Sequence, residues 1–511
     1  MKQAHDSRRL GQETAYLSIF SVVLQGFGLL LNLFLTNRLG SASVGIITLI
    51  GSFYSLAAVL SGGSGFIAAS RFISEELGCG GNPETVFHYT LRFCLTLSTA
   101  FSILLCILAP WLIQLDCISD TNISVATLRL ISLSLPLSAL SACLKGRCYA
   151  YHRVYLPAIA ECIEFLIRAG VMAFCTVFCI PYGKITILGA FSIAALAGQG
   201  TAVCFLSFFH IPRPNCSVPC SLKFRKFMRN ILPVMGNACL VALLSTTNDA
   251  LVPLTLLQFG DSTEEALAKF GEFEAIIIPT LFFPSVIQCC MSGLLVPELS
   301  QARSANDSGT IRDLTQRVLE QTVSFSVYIV LLLFLFGDTI GTFLGGDAFA
   351  GKILRLMAPI VPFIYLEIIM EGILRGLGKQ SFSSINYLAE YIVRISVLLI
   401  CVPLFGFYGI VMSYMACNLT GNAVRMFFVL RLTELKPNWK RILLYPIVSV
   451  VVSWQLIQFV LWILGGHSWQ PTIYFCIFAT LCGGLMLFIL RVIHLNCGEH
   501  SISHTTGKLE L

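Results

Sequence analysis

The sequence predicts an all-α polytopic membrane protein of about 14 transmembrane helices, in two pseudo-symmetric six-helix lobes followed by two C-terminal helices. Three observations carry this expectation. Charge is scarce, apolar stretches recur along the whole chain, and one polar motif recurs six stretches further on. Lys and Arg number 33 and Asp and Glu 27, which is 12% of 511 residues, against about a quarter in an ordinary soluble domain. Hydrophobic residues make up 56% of the chain, and the mean hydropathy is +0.81. A soluble chain of this length needs several charged domain surfaces, which so few charges cannot coat. Disorder is excluded for the opposite reason, since low hydrophobicity is its mark. The net charge of +6 follows from where basic residues sit, and no nucleic-acid partner is expected.

A hydrocarbon core about 30 Å thick takes roughly 20 apolar residues per helix. Spans are expected near 15–37, 44–69, 87–113, 125–144, 155–180, 185–209, 231–257, 271–296, 318–337, 354–374, 383–404, 407–430, 442–464 and 471–493. Alternate connectors then hold 23 of the 33 basic residues, the opposite connectors hold Arg38, Lys184, Lys269 and Lys352, and six lie within spans or at their ends. Excess Lys and Arg mark the cytoplasmic side. Both termini are therefore expected on the cytoplasmic side of the membrane. Lys2, Arg8 and Arg9 mimic a leader, but the following apolar run exceeds the ~7–15 residues of a signal segment. The predicted division is 1–209 for the first lobe, 210–230 for a basic cytoplasmic linker, 231–430 for the second lobe, 431–495 for two added helices and 496–511 for a cytoplasmic tail.

Of the 20 cysteines, most fall inside spans, among them Cys94, Cys106, Cys175, Cys204, Cys289 and Cys290, where Cys packs as a small apolar residue. His210, Cys216 and Cys220 cluster in one loop but lack a fourth ligand for zinc. Neither metal nor cofactor is expected. The connectors are short and carry no Gly-rich phosphate loop and no nucleophile beside a base, so an enzyme is not expected either. A channel, a receptor or a secondary transporter remains.

The repeat favours a transporter. Leu144-Lys145-Gly146, Pro157, Ala160-Glu161 and Glu164-x-x-x-Arg168 reappear as Leu374-Arg375-Gly376, Ala389-Glu390 and Glu390-x-x-x-Arg394. Each copy closes an even-numbered span, turns, and places Glu four residues before Arg on the next. A separation of six helices preserves orientation, giving the parallel repeat familiar from transporters. Glu164 with Arg168, and Glu390 with Arg394, stand on one helix face in the order suited to an ion pair. A lone charge at mid-membrane costs roughly 2.5–3.5 kcal/mol on insertion scales, so these groups either pin helices together or serve function. Glu367, Glu371 and Arg375 form a stripe in the tenth span, with Glu371 and Arg375 a local pair and Glu367 without a neighbour of opposite sign on its own helix. Asp249, beside Thr246 and Asn248, is another intramembrane acid. Asp249, Glu367 and Glu371 are therefore the candidates for carrying H+ or Na+. Gly26, Gly28, Gly62 and Gly63 in the first two spans, and Pro253, Pro279 and Pro284 in the seventh and eighth, are the candidate gates.

Further residues suggest a family. Leu39-Gly40 with Gly45, and Ala68-Ala69-Ser70-Arg71-Phe72-Ile73-Ser74-Glu75-Glu76, resemble the opening of the polysaccharide flippases related to stage V sporulation protein B. Lys145-Gly146, Pro157, Glu164 and Arg168 resemble the signature of that family's fourth and fifth helices, which usually begins Arg-Gly. Phe270-Gly271, Pro279, Pro284 and Leu295-Val296-Pro297-Glu298-Leu299-Ser300 resemble the start of its second half, and Arg375-Gly376-Leu377-Gly378-Lys379 the turn before its eleventh helix. The resemblance implies the multidrug/oligosaccharidyl-lipid/polysaccharide exporter superfamily, with two six-helix lobes alternating access to a cavity between them. It also implies a lipid-linked saccharide substrate, moved between leaflets among membrane lipids. Arg168, Arg394, Glu164, Glu390, Arg38 and Asn32 are then the candidate substrate-binding residues, because Arg suits a diphosphate. The paired Arg and Arg-Asp pattern of dedicated lipid II flippases is missing from the first two helices, Arg38 being the nearest equivalent. A cation-coupled multidrug exporter of the same fold, and a non-transporting scaffold for wall assembly, are the alternatives.

Overall fold

The computed structural model describes residues 2–62, 65–78, 82–112, 125–151, 153–180, 186–209, 224–346, 348–465 and 470–502. These residues are almost entirely helical, with no strand among them. In chain order the helices are α1 Lys2–Leu39, α2 Ser41–Gly62, α3 Gly65–Gly78, α4 Pro83–Leu112, α5 Val125–Ala150, α6 Tyr155–Phe178, α7 Ile187–Phe208, α8 Phe224–Phe259 and α9 Thr263–Glu272. Then follow α10 Ile278–Phe282, α11 Val286–Ser304, α12 Ser308–Phe343, α13 Ala348–Met357, α14 Val361–Gly376, α15 Gln380–Phe405, α16 Phe407–Thr433, α17 Tyr445–Ile463 and α18 Pro471–Ile502.

Every predicted span falls mainly on helix over its described residues. Eleven helical runs among the described residues are long and apolar enough to cross a membrane. The predicted spans 15–37, 155–180 and 407–430 lie in α1, α6 and α16, outside those eleven. The latter two helices carry the polar residues described below. The span 44–69 comprises α2 and α3 and breaks at Gly62, whose φ of +149° a side chain rarely adopts. Gly63, His210, Cys216 and Cys220 lie outside the described residues. Trp111, Phe208, Phe427 and Trp462 are each more than two-thirds exposed, the pattern of helices whose outer faces meet lipid rather than water.

Local chemistry sets the helix starts. Ser262 and Glu265 form a reciprocal capping box at α9. Thr186 accepts from the Gly189 N–H at the start of α7, and Asp307 accepts from the Thr310 N–H at the start of α12. The predicted gates Pro279 and Pro284 sit where α geometry fails. A π-helical turn, Phe273–Ile277, precedes Pro279, and a 3₁₀ turn, Phe283–Ser285, contains Pro284. Pro279 has no N–H to offer the Ala275 carbonyl four residues back, and Asn32 Nδ2 donates to that carbonyl at 3.2 Å.

The chain divides into two compact units, residues 1–275 with 394–410, and residues 276–393 with 411–511. In the first, α3, α4, α5 and α8 share a core of Ala69, Phe72, Ile73, Phe87, Cys143 and Phe227. In the second, α11, α12, α14 and α16 share a core of Leu295, Leu299, Val318, Ile373, Leu374 and Val429. The motifs singled out in the sequence meet inside these cores. A methyl group on Gly146 would lie 2.5 Å from the Phe66 carbonyl oxygen and 2.8 Å from Ala69 Cβ, and one on Gly376 would lie 2.9 Å from Leu299 Cβ. Thus Lys145-Gly146 rests on the Ala68-Ala69-Ser70 segment, and Arg375-Gly376 on the Val296–Ser300 segment. Ser300 Oγ donates to the Gly376 carbonyl at 3.0 Å, and Arg303 Nη1 to the Leu377 carbonyl. In the first unit Gly45 and Gly271 also meet. A Cβ at Gly45 would lie 2.2 Å from the Leu267 carbonyl oxygen, and one at Gly271 2.0 Å from that of Ser41, so only glycine permits this crossing of α2 and α9.

Candidate functional site: two carboxylates with the same partners

Glu164, on α6, is buried in the first unit. Its Oε2 accepts from Lys145 Nζ on α5 at 3.1 Å, and its Oε1 accepts from Gln199 Nε2 on α7 at 2.8 Å. Glu161 approaches the same ammonium at 3.5 Å. Gly198 lets α7 close on this group, for a Cβ there would lie 3.0 Å from the Glu164 carbonyl oxygen and 3.3 Å from Arg168 Cβ.

Glu390, on α15, is equally buried in the second unit. Its Oε2 accepts from Arg425 Nη2 on α16 at 3.0 Å, and its Oε1 accepts from Asn386 Nδ2 at 2.7 Å. Glu367, from α14, approaches the same guanidinium at 3.4 Å. Tyr387 places its ring 5.1 Å from the Arg425 guanidinium carbon. A Cβ at Gly421 would fall on Glu390 Oε1, at 1.8 Å.

The two repeat glutamates therefore have the same chemistry. Each gives one oxygen to a carboxamide and the other to a cation, a second carboxylate shares that cation, and a glycine on the following helix makes room. Hydrogen-bonded pairing of this kind is what a charge within a hydrocarbon slab requires. It also leaves each cluster one negative charge in excess when every group is ionised.

The ion pair expected within the first Glu-x-x-x-Arg motif does not form among the described residues. Glu164 takes Lys145 instead of Arg168, because the neighbouring helices bring shorter routes to a cation than the motif's own next turn. Arg168 is left half-buried, its guanidinium 5.7 Å from the Phe165 ring, with no carboxylate in ion-pair range among the described residues. Glu390 likewise takes Arg425, and Arg394 lies within electrostatic reach of Glu274. Glu367 has a partner of opposite sign after all, supplied by α16 and invisible along its own helix. Glu371 pairs with Arg375 as expected, Arg375 Nε donating at 3.0 Å, and also accepts from Ser383. Asp249 accepts from Ser52 Oγ at 2.6 Å and Asn248 Nδ2 at 3.1 Å, while the buried Asn248 Oδ1 has no donor among the described residues. Arg38 is exposed at the end of α1, and Asn32 is engaged by the Ala275 carbonyl. Around Gly28 there is open space, and Pro253 stands four residues after Asp249, whose carbonyl thereby loses its helical donor.

Sequence reasoning missed Arg425, Gln199, Asn386, Tyr387 and Glu274 as site residues. Arg425 carried a signal, being one of six basic residues placed in or at the ends of spans. The amides carried none, since nothing in the motif spacing points to them. No metal-ligand group of three or more His, Cys, Asp or Glu occurs among the described residues, and every described cysteine is a free thiol.

The sequence is 20% identical over 409 residues to Stage V sporulation protein B of Bacillus subtilis (strain 168), across 78% of this chain and 79% of that protein. No family model matches. Among solved structures, lipid II flippase MurJ in an inward closed conformation superposes with a TM-score of 0.69 at 14% identity, over 94% of this chain and 99% of that one. An inward-facing multidrug resistance MATE family transporter of the MOP superfamily gives 0.61 at 14% identity, over 80% and 94%. A MOP superfamily transporter from Pyrococcus furiosus Vc1 (DSM3638) gives 0.58 at 14% identity, over 82% and 96%. The chain is thus a multi-pass membrane protein with the fold of that superfamily, similar in sequence to a stage V sporulation protein B.

Proposed function

We propose that this chain, a multi-pass membrane protein with the fold shared by flippases and multidrug exporters, is a flippase for a polyprenyl-diphosphate-linked oligosaccharide or cell-wall precursor. It moves that substrate from the cytoplasmic to the outer leaflet of a bacterial plasma membrane by alternating access of its two six-helix halves, residues 1–209 and 231–430, with both termini cytoplasmic. The observation that carries the reading is the matched pair of buried sites around Glu164 and Glu390, together with the similarity to Stage V sporulation protein B. In this account the carboxylates hold Lys145 and Arg425 in place, and Arg168 is the cation left over for substrate. A diphosphate crossing the membrane needs charge-assisted hydrogen bonds, which a guanidinium supplies in a planar fork. Arg394 and Arg38 are the further candidates for that role.

One observation supports a second reading, a cation-coupled exporter. Asp249, with the unpartnered Asn248 Oδ1 and the carbonyl freed by Pro253, offers oxygens of the kind that take Na+ or a proton. Glu367 and Glu371 are the other coupling candidates, Glu367 because its cluster holds two carboxylates to one guanidinium. Proteoliposomes separate the readings. The flippase account expects transbilayer movement of polyprenyl-diphosphate sugars above that of empty vesicles, and movement equal to empty vesicles under gradients of either sign defeats it. The exporter account expects cation-drug efflux that Asp249→Asn abolishes.

A further inference from the structure

The second unit contains a cavity of about 930 Å³ that the transport reading does not use. Its walls are α12, the π-helical turn Lys440–Leu444 that leads into α17, and α18. Arg317, Arg441 and Arg491 line it, each from a different one of these elements, in company with the acids Asp313 and Glu320. Further along α12 the lining is apolar, with Phe325 and Tyr328 beside Gly483, Met486 and Leu487 from α18. Gly483 allows this packing: a Cβ there would lie 3.1 Å from Tyr328 Oη, which donates to the Ala479 carbonyl at 2.6 Å.

The arginines are without ion-pair partners among the described residues. Asp313 stands one turn before Arg317 on α12 and also lines the cavity, yet no ion pair joins them. Glu320 accepts from Gln316 Nε2 at 2.7 Å. Three guanidinium groups left unpaired beside an apolar wall are suited to an anion that carries its own hydrocarbon. The lengths agree. From Arg317 to Tyr328 is about three helical turns, or ~16 Å at ~1.5 Å per residue, close to half of a ~30 Å hydrocarbon core. The wall is one leaflet long, the reach of a phospholipid acyl chain and short for a polyprenyl chain. Basic pockets between helices at the cytoplasmic face bind anionic lipid headgroups by this arrangement.

We infer that this cavity is a binding site for an anionic phospholipid of the leaflet that Arg317, Arg441 and Arg491 face, its phosphate among the three guanidinium groups and an acyl chain along Phe325, Tyr328, Met486 and Leu487. The lipid joins the two C-terminal helices to α12 as a resident component, distinct from any transported molecule.

The test is native mass spectrometry of the full chain in detergent with phosphatidylglycerol and phosphatidylcholine at equal concentration. Wild type is expected to retain phosphatidylglycerol preferentially, with the preference declining as salt rises. Each arginine near an anionic group contributes roughly fivefold, so the triple variant R317Q/R441Q/R491Q should lose at least about tenfold of the preference, and the triple Arg→Lys variant should keep most of it. Equal retention of the two lipids by wild type overturns the proposal, whether or not the Gln variant folds. So does a Gln variant of unchanged thermal stability that retains phosphatidylglycerol as wild type does. Displacement of phosphatidylglycerol by stoichiometric polyprenyl diphosphate would assign the cavity to substrate and overturn it as well.

Discussion

Glu390 and Arg425 show how a buried ion pair is decided by its surroundings rather than by the pair alone. Removing two charges from water costs several kcal/mol per ion, which mutual attraction offsets only if the remaining hydrogen bonds are made. Here Asn386 and Glu367 supply some of them. Arg425→Leu strands two carboxylates and is expected to destabilise the protein by about 3–5 kcal/mol, read from denaturant unfolding in detergent micelles. Adding Glu390→Gln to that variant should recover a good part of the loss. A single variant as stable as wild type would show that the cluster is hydrated and loosely held. Glu164 and Glu390 were legible in the sequence because the repeat placed them at corresponding sites. Their cations were not. Lys145 precedes its glutamate by one helix and Arg425 follows its own by one, so the offsets differ in sign and no motif joins them.

At the level of elements, two glycines predict opposite outcomes from similar substitutions. Gly45 and Gly271 bring α2 and α9 into backbone contact, and an added Cβ would lie 2.2 Å or less from a carbonyl oxygen. Gly45→Val should therefore abolish folded protein, seen as loss of the monodisperse peak in size exclusion. Gly28 has open space around it, and Gly28→Ala should stabilise α1 by up to about 1 kcal/mol. If Gly28→Ala impairs transport while raising stability, α1 bends there in function. Asp307 makes a second prediction outside the membrane. Its carboxylate accepts from the Thr310 N–H at 3.0 Å and the Thr310 hydroxyl at 2.6 Å, and these bonds hold its pKa below the ordinary value. The cap's contribution is thus complete above the unfolded carboxyl's pKa and is lost as pH falls through the lower folded value. Amide exchange at Thr310 should quicken over that acid window, and Asp307→Asn should remove the pH dependence. Helix positions were readable from apolar length because the bilayer fixes that length. The π-helical turn at Phe273–Ile277 was not, since it is a shift of hydrogen-bond register that Pro279 and Asn32 jointly permit.

For the whole molecule, the small charge complement sorts into two jobs. Most basic residues lie in the predicted connectors and set the predicted orientation, while Lys145 and Arg425 build the paired clusters and Arg168 stands beside the first of them outside ion-pair range of any described carboxylate. In the proposed reading the substrate is assigned from the chemistry of Arg168. Arg168 is not an ion-pair partner for the Glu four residues earlier, so its loss should spare stability and cost transport. A charge-assisted contact to phosphate is worth about 1.5–3 kcal/mol, or roughly 10- to 150-fold in rate if it is made in the rate-limiting state. The most direct measurement is the initial rate of transbilayer movement of a polyprenyl-diphosphate sugar in proteoliposomes, compared between wild type and Arg168→Gln of equal thermal stability. The account predicts movement well above empty vesicles for wild type and a loss of about tenfold or more for the variant. Equal rates for the two proteins would contradict it.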